Sequence, residues 1–165
     1  MTYLKIPPTV RNYVIPEHVL EKTRAFLRER GERGVEGVVV WLGEIVDDET
    51  GSVIGAYVPE QIAHRSELGV AVEVTQEGLT RLIAGLPEGV FVLIRVHSHP
   101  SDAYHSDLDD HNMLISHTNA ISIVVPDFAQ EPITLERCSV NELHHDEGWV
   151  ELTRADVRTR FRIVR

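Results

Sequence analysis

The run Val90-Phe91-Val92-Leu93-Ile94-Arg95-Val96 is almost unbroken in its apolar character. A strand with one face in water alternates polar and apolar side chains, so a run without alternation reads as a central strand covered on both faces. Such a strand needs partners on either side and further layers above and below it. It is followed at once by His97-Ser98-His99-Pro100. Titratable groups therefore leave the core directly from the end of a buried strand, and Pro100, which has no N–H, ends the strand there.

The rest of the chain supplies the partners. Residues 16 to 30 place Pro16 in a first turn and Val19, Leu20, Thr23, Phe26 and Leu27 on one helical face before Gly31 stops the pattern. Val38 to Leu42 and Ser52 to Val58, separated by the turn-like residues 47–51, read as a hairpin. A short strand at 70–74 leads to Thr75, an N-cap for a helix carrying Leu79, Leu82 and Ile83 and ended by Gly85 and Pro87. Ser106 caps a helix that runs on through Ile115; strands are expected at 120–125, 134–140 and 148–152, and a short helix at 154–160. Helices and strands mix without strict alternation, which specifies an α/β fold with a mixed sheet. At 165 residues, without repeat, linker or low-complexity tract, residues 1–165 are expected to form a single domain.

Composition narrows the chemistry. Cys138 is the only cysteine, so an internal disulfide and a cysteine-rich zinc finger are both excluded, and any metal must be held by histidines and carboxylates. A net charge of -10 with no basic stripe argues against nucleic acid as a partner. No apolar run approaches the roughly 20 residues of a membrane span, so a soluble, cytoplasmic protein is expected.

His97 and His99, two residues apart on an extended segment, project to the same side and can share one ion. A bare H-x-H pair also describes surface histidines at a strand end. The carboxylate of Ser106-x-x-Asp109, at a helix start close to that strand end, is what points to a metal. Three protein ligands with an open fourth position are the plan of a catalytic zinc site, which still needs a carboxylate elsewhere as general base.

Taken together, these residues resemble the JAMM, or MPN-plus, metalloprotease family, whose signature joins an upstream Glu to H-x-H-P, a serine and x-x-D. In that family the Glu precedes an apolar strand by seven residues from its closing glycine, the spacing of Glu36 and Gly43 in Glu36-Gly37-Val38-Val39-Val40-Trp41-Leu42-Gly43. The resemblance implies a single mixed-sheet JAB/MPN-like (cytidine-deaminase-like) domain with flanking helices that binds Zn2+. It makes Glu36, rather than Glu32 or Glu44, the general base, His97 and His99 the histidine ligands, and Ser106 the donor that steadies the oxyanion. The family usually has seven residues between the second His and the Ser, whereas six separate His99 from Ser106. Asp109 keeps the S-x-x-D relation and is the expected third ligand. Asp110 keeps the usual distance from His99, an alternative that would put Asp107 in the serine position.

Members of the family cut the bond after the C-terminal Gly of ubiquitin or ubiquitin-like proteins. The strings from His97 to Asp110 and from Ile121 to Phe128 look most like small bacterial members found beside E1- and E2-like enzymes, including the deconjugating protease of CBASS antiphage operons. The implied substrate is a ubiquitin-like protein or its conjugate, with E1/E2-like proteins as partners. Two rivals stand beside this reading. A non-catalytic MPN-type scaffold would have lost a ligand or the base, and none is lost here; a zinc amidase acting on a small-molecule amide would carry the same motif. Ser101, Tyr104 and His105 lie in the motif loop and are candidates to line a substrate groove. Cys138 reads as a small buried residue, since no base is placed for it.

Overall fold

The computed structural model describes residues 6, 7, 9–104, 106 and 117–165. Their elements are β1 (Asn12–Pro16), α1 (Glu17–Glu32), β2 (Val38–Asp47), β3 (Thr50–Tyr57), β4 (Gln61–Ser66), β5 (Gly69–Val74), α2 (Gln76–Gly85), β6 (Phe91–Ser98), β7 (Ile121–Val125), β8 (Ser139–His144), β9 (Gly148–Glu151), α3 (Arg154–Arg160) and β10 (Phe161–Val164). Eight strands make one sheet in the order β10-β1-β3-β2-β6-β7-β8-β9, and β4 and β5 form a separate hairpin. β1 runs parallel to both of its neighbours and β6 parallel to β7, while the remaining pairs are antiparallel. The sheet is therefore mixed, as the irregular succession of helices and strands requires.

Burial explains the strand order. β6 and β7 are buried almost throughout and occupy the middle, whereas β9 and β10 bury little and lie at the two edges. On one face α1 lays down Val19, Leu20, Thr23 and Leu27, all buried. They pack in a core with Ile15, Val39, Trp41, Ile94, Val96, Ile123 and Val140. The Trp41 indole donates to Thr23 Oγ1 at 2.8 Å, and that hydroxyl donates to the Val19 carbonyl at 2.7 Å, so the indole N–H is satisfied. A smaller core on the other face joins Val38, Val40, Leu82, Val92 and Ala120, with Val72, Val74 and Leu79 from the hairpin and α2 packed against it. The Thr75 side chain accepts the Gly78 N–H at 2.9 Å, the cap expected for α2.

Some expected elements shift. No strand spans 134–140: Leu135–Arg137 is a 3-10 turn, and the strand begins only at Ser139. The apolar side chain there, Leu135, is buried by a turn rather than by a ladder. β1, β4 and β10 are strands that carry no clear sequence signature. The helix expected from Ser106 onward lies outside the described residues.

The sheet curls until strands near its two ends meet. Arg11, just before β1, donates to Asn119 Oδ1 at 2.7 Å and to Glu142 Oε1 of β8 at 3.4 Å. Arg160, at the end of α3, donates to the other Glu142 oxygen, and to the Arg11 carbonyl at 2.7 Å. Glu142 is buried, yet two guanidiniums serve it, the condition on which a buried carboxylate is tolerated. α3 bridges the same gap. Thr153 and Asp156 form a capping box at its start, and Val157 enters the main core.

Candidate active site

The site is assembled by the register of two central strands. β2 and β6 pair antiparallel with Val38 opposite His97. One step further out, the Ser98 N–H donates to the Gly37 carbonyl at 3.1 Å, and Ser98 Oγ accepts the Gly37 N–H at 3.1 Å. Followed beyond the ends of both strands, the same register brings Glu36 level with His99. Because extended chain alternates sides, Glu36 shares a face with Val38, and His99 with His97, so carboxylate and both imidazoles lie on one face of the sheet. The sequence places these residues 61 and more positions apart; the register makes them neighbours.

All three side chains are withdrawn from solvent: Glu36 is 6% exposed, His97 3% and His99 4%. The imidazole centroids are 5.1 Å apart with an interplanar angle of 60°. That spacing tests whether the pair fits a zinc ion. A ligating nitrogen lies about 2.1 Å from zinc, which puts each ring centroid about 3.2 Å away, and a tetrahedral angle then separates the centroids by about 5.2 Å. The observed spacing and the nitrogen donor set both fit. Among the described residues no third His, Cys, Asp or Glu completes a group of three. Asp109, the expected third ligand, and its alternative Asp110 lie outside the described residues, as does His105. Ser106 is described and half-buried.

Tyr104 stands edge-on to the His99 ring with centroids 4.8 Å apart, and its own side of the site is open, since it is 55% exposed. A groove of about 440 Å³ continues from this loop past Asp102, Ala103, Asp127, Cys138 and Arg154. Burial pushes the Cys138 thiol up to about 12, so it stays protonated at neutral pH and is no nucleophile. A larger cavity, about 790 Å³, lies between α1, residues 132–136 and β10, and contains neither Glu36 nor a histidine. Among the described residues three histidines outside the motif meet carboxylates: His64 meets Glu73 at 3.3 Å, His144 meets Glu142 at 3.1 Å and His145 meets Asp146 at 2.7 Å.

Three contributors to the site went unread in the sequence. Arg95 is buried at 1% exposure on the face of His97, donating to Ser122 Oγ at 3.0 and 3.3 Å and lying over the Trp149 ring at 5.5 Å. Its signal was present as the one cation inside the apolar run. Ser98, between the histidines, uses its hydroxyl to tie β6 to the residue after Glu36. Arg30 holds the Glu36 carbonyl with Nε at 3.1 Å and Nη2 at 3.0 Å, and no local pattern announces that.

Two buried imidazoles at the end of a central strand, faced by a buried carboxylate, are the makings of a metal-dependent hydrolase, and the chain belongs to a metalloprotease family. The relative that shows this is the probable metalloprotease y4jG of Sinorhizobium fredii (strain NBRC 101917 / NGR234), 33% identical over 147 residues, which are 88% of this chain and 90% of that protein. Among solved structures, the solution structure of protein DSY2949 from Desulfitobacterium hafniense shares the fold with a TM-score of 0.59 at 18% identity, over 92% of this chain and 91% of that one. No family model matches the chain. Membership of a metalloprotease family implies a metal cofactor. Among the described residues no helix is long and apolar enough to cross a membrane.

Proposed function

We propose that the protein is a JAMM-type zinc isopeptidase or peptidase that hydrolyses the bond after the C-terminus of a ubiquitin-like protein. The observation that carries the reading is the 5.1 Å spacing of the His97 and His99 rings on the face that Glu36 shares. His97 and His99 hold the zinc, with Asp109 as third ligand. When bound, zinc supplies a lowered water pKa, near 7, and Lewis-acid polarisation of the scissile carbonyl. Glu36 accepts the proton of the attacking water on its carboxylate and passes it to the departing nitrogen. Ser106 donates its hydroxyl to the oxygen on which negative charge develops. Burial of Glu36 keeps bulk water from competing for that proton.

Support for a protein substrate comes from the surroundings of Glu36. The Gln61 side chain takes the place of a neighbouring strand on the free side of Val38, accepting its N–H at 2.8 Å and donating to its carbonyl at 2.9 Å. The β4–β5 hairpin is thereby fixed next to the site, and it presents Ile62 at 53% and Leu68 at 100% exposure. An extended tail reaching the site beside this hairpin would bring apolar contacts with the body of the partner. The ubiquitin-like identity of that partner, and a working association with E1/E2-like proteins, rest on the motif resemblance.

The test is incubation of the zinc-loaded protein with a ubiquitin-like protein extended beyond its C-terminal Gly, alongside small amides. Cleavage after the Gly that is lost in Glu36→Ala supports the reading. Turnover of small amides alone would make the protein an amidase, and zinc binding without turnover of either would make it a scaffold.

A further inference from the structure

We propose that α1 is a platform that sets the separation between the base and the histidines, with Arg30 and Phe128 as its positioning residues; the inference rests on the site reading above. On the side of the base, Arg30 grips the carbonyl of Glu36 through two nitrogens, at 3.1 and 3.0 Å. Gly37 presses on the same helix: a Cβ there would lie 3.1 Å from Leu27 and Phe26 and 3.2 Å from Arg30. The stretch that carries Glu36 is thus seated on α1 by its backbone.

On the side of the histidines, the chain leaving β7 makes a turn in which Asp127, Phe128 and Ala129 all have positive φ, 52°, 50° and 56°. L-residues disfavour this conformation, and a run of three persists only where the surroundings hold it. The turn spends its strain on the motif loop. The Phe128 N–H donates to the His99 carbonyl at 2.8 Å and the Asp127 N–H to the Ser101 carbonyl at 2.9 Å. What holds the turn is again α1. The Phe128 side chain lies against Gly31 so closely that a Cβ at 31 would come within 2.3 Å of Phe128 Cβ. Arg24 donates to the Ala129 carbonyl at 3.3 Å and to the Gln130 carbonyl at 2.5 Å.

One stretch of α1, Arg24 to Gly31, therefore fixes both halves of the site, and it does so through backbone groups of the site's own residues or their neighbours. Core packing alone explains neither the two-nitrogen grip on Glu36 nor the strained turn. A base must sit within hydrogen-bond reach of the proton it takes, and a site loose by an ångström loses most of its rate, so a shared rigid support has a direct use.

The two arms of the platform predict separable effects. In Arg30→Gln the Gly37 amide should exchange with solvent about tenfold faster, and kcat on the extended ubiquitin-like substrate should fall about tenfold or more at unchanged KM. Zinc affinity, measured by chelator competition, should stay as in the parent, and Arg30→Lys should recover part of the loss. In Phe128→Leu and in Gly31→Ala zinc affinity should fall about tenfold while Gly37 exchange stays as in the parent. Each arm has two substitutions, so one that fails to fold leaves the other. Parental zinc affinity and Gly37 exchange in all four, with only the melting temperature lowered, would overturn the platform and reduce α1 to a core helix. His97→Ala separates the two levels: it should lose zinc, and zinc retained there would overturn the site reading and the platform together.

Discussion

The two faces of the β2–β6 pair share one backbone and differ in content, since only one of them sets Arg95 and His97 among its valines. Towards α1 the strands present Val39, Trp41, Ile94 and Val96, all fully buried in the main core. Towards the other side the same strands present Arg95 and His97, and the register carries Glu36 and His99 beyond them. Burying a cation and two imidazoles gives up apolar contact and demands hydrogen-bond partners. The sheet tolerates this because its opposite face is packed with apolar side chains, the Trp41 indole being served by Thr23. Stability and chemistry are thus separated by a two-residue alternation, and the site inherits the rigidity of the central strands.

Substitutions on either face can break that separation. The largest effect is expected at the histidines: His97→Ala or His99→Ala should abolish metal binding and turnover while circular dichroism shows the sheet intact. Within the same experiment Asp109→Asn should lose the metal and Asp110→Asn keep it; the reverse would show that the chain keeps the family's spacing from His99 and that Asp107 replaces Ser106. Next, Glu36→Ala should retain zinc and lose turnover by roughly 10² to 10⁴, the scale of general acid–base catalysis. Turnover retained in that variant would move the base elsewhere, Glu44 first. On the core face, Trp41→Ala should lower unfolding free energy by about 3–5 kcal/mol, measured by denaturant titration, because it empties a packed site and removes the indole donor to Thr23. Loss of zinc affinity in a Trp41 variant that still folds would show the faces to be coupled more tightly than the alternation implies.

The smallest effect lies far from both faces. Thr153→Ala removes the α3 cap and should cost about 1 kcal/mol at neutral pH. Hydrogen bonds from Thr153 hold the Asp156 carboxyl below its ordinary value of 3.8. A depressed carboxylate stabilises the fold above its unfolded pKa and stops doing so as pH falls through the folded one. The gap between parent and variant should therefore be full at neutral pH and shrink below about pH 3.8, with zinc affinity untouched throughout.

The sequence carried the pieces of the site better than their arrangement. The apolar run into His97 and His99 announced a central strand, and β6 is one, extending through Ser98. Thr75 was readable as a cap because capping is local. β1 was not, since its partners are β3 and a strand from the far end of the chain, with Tyr13 opposite Phe161. β4, Gln-Ile-Ala-His-Arg-Ser, has no alternation to read because its side chains are mostly exposed, and it is anchored by the Gln61 clasp on Val38. The Leu135 region looked like a strand by composition, but a buried leucine can be delivered by a turn as well. Glu36 is legible through the family spacing to Gly43 rather than through its burial, which arises only in the fold. Arg30 and Phe128 act through backbone groups of distant residues, and no local pattern encodes that.

The junction at Glu142 sets the order in which this protein can be finished. Arg160 reaches back to the Arg11 carbonyl across a sequence separation of 149. At roughly 5–20 residues per second on a ribosome, β1 waits on the order of 10–30 s for β10. Throughout that interval one flank of β1 has no strand to pair with, and Glu142, once made, has Arg11 but not yet Arg160. The histidines and Glu36 sit on or beside the ends of strands completed well before closure. The nascent chain therefore passes through a stage in which the pieces of the site are assembled on a sheet that is still open, and its exposure to misfolding is governed by the time taken to reach the last strand.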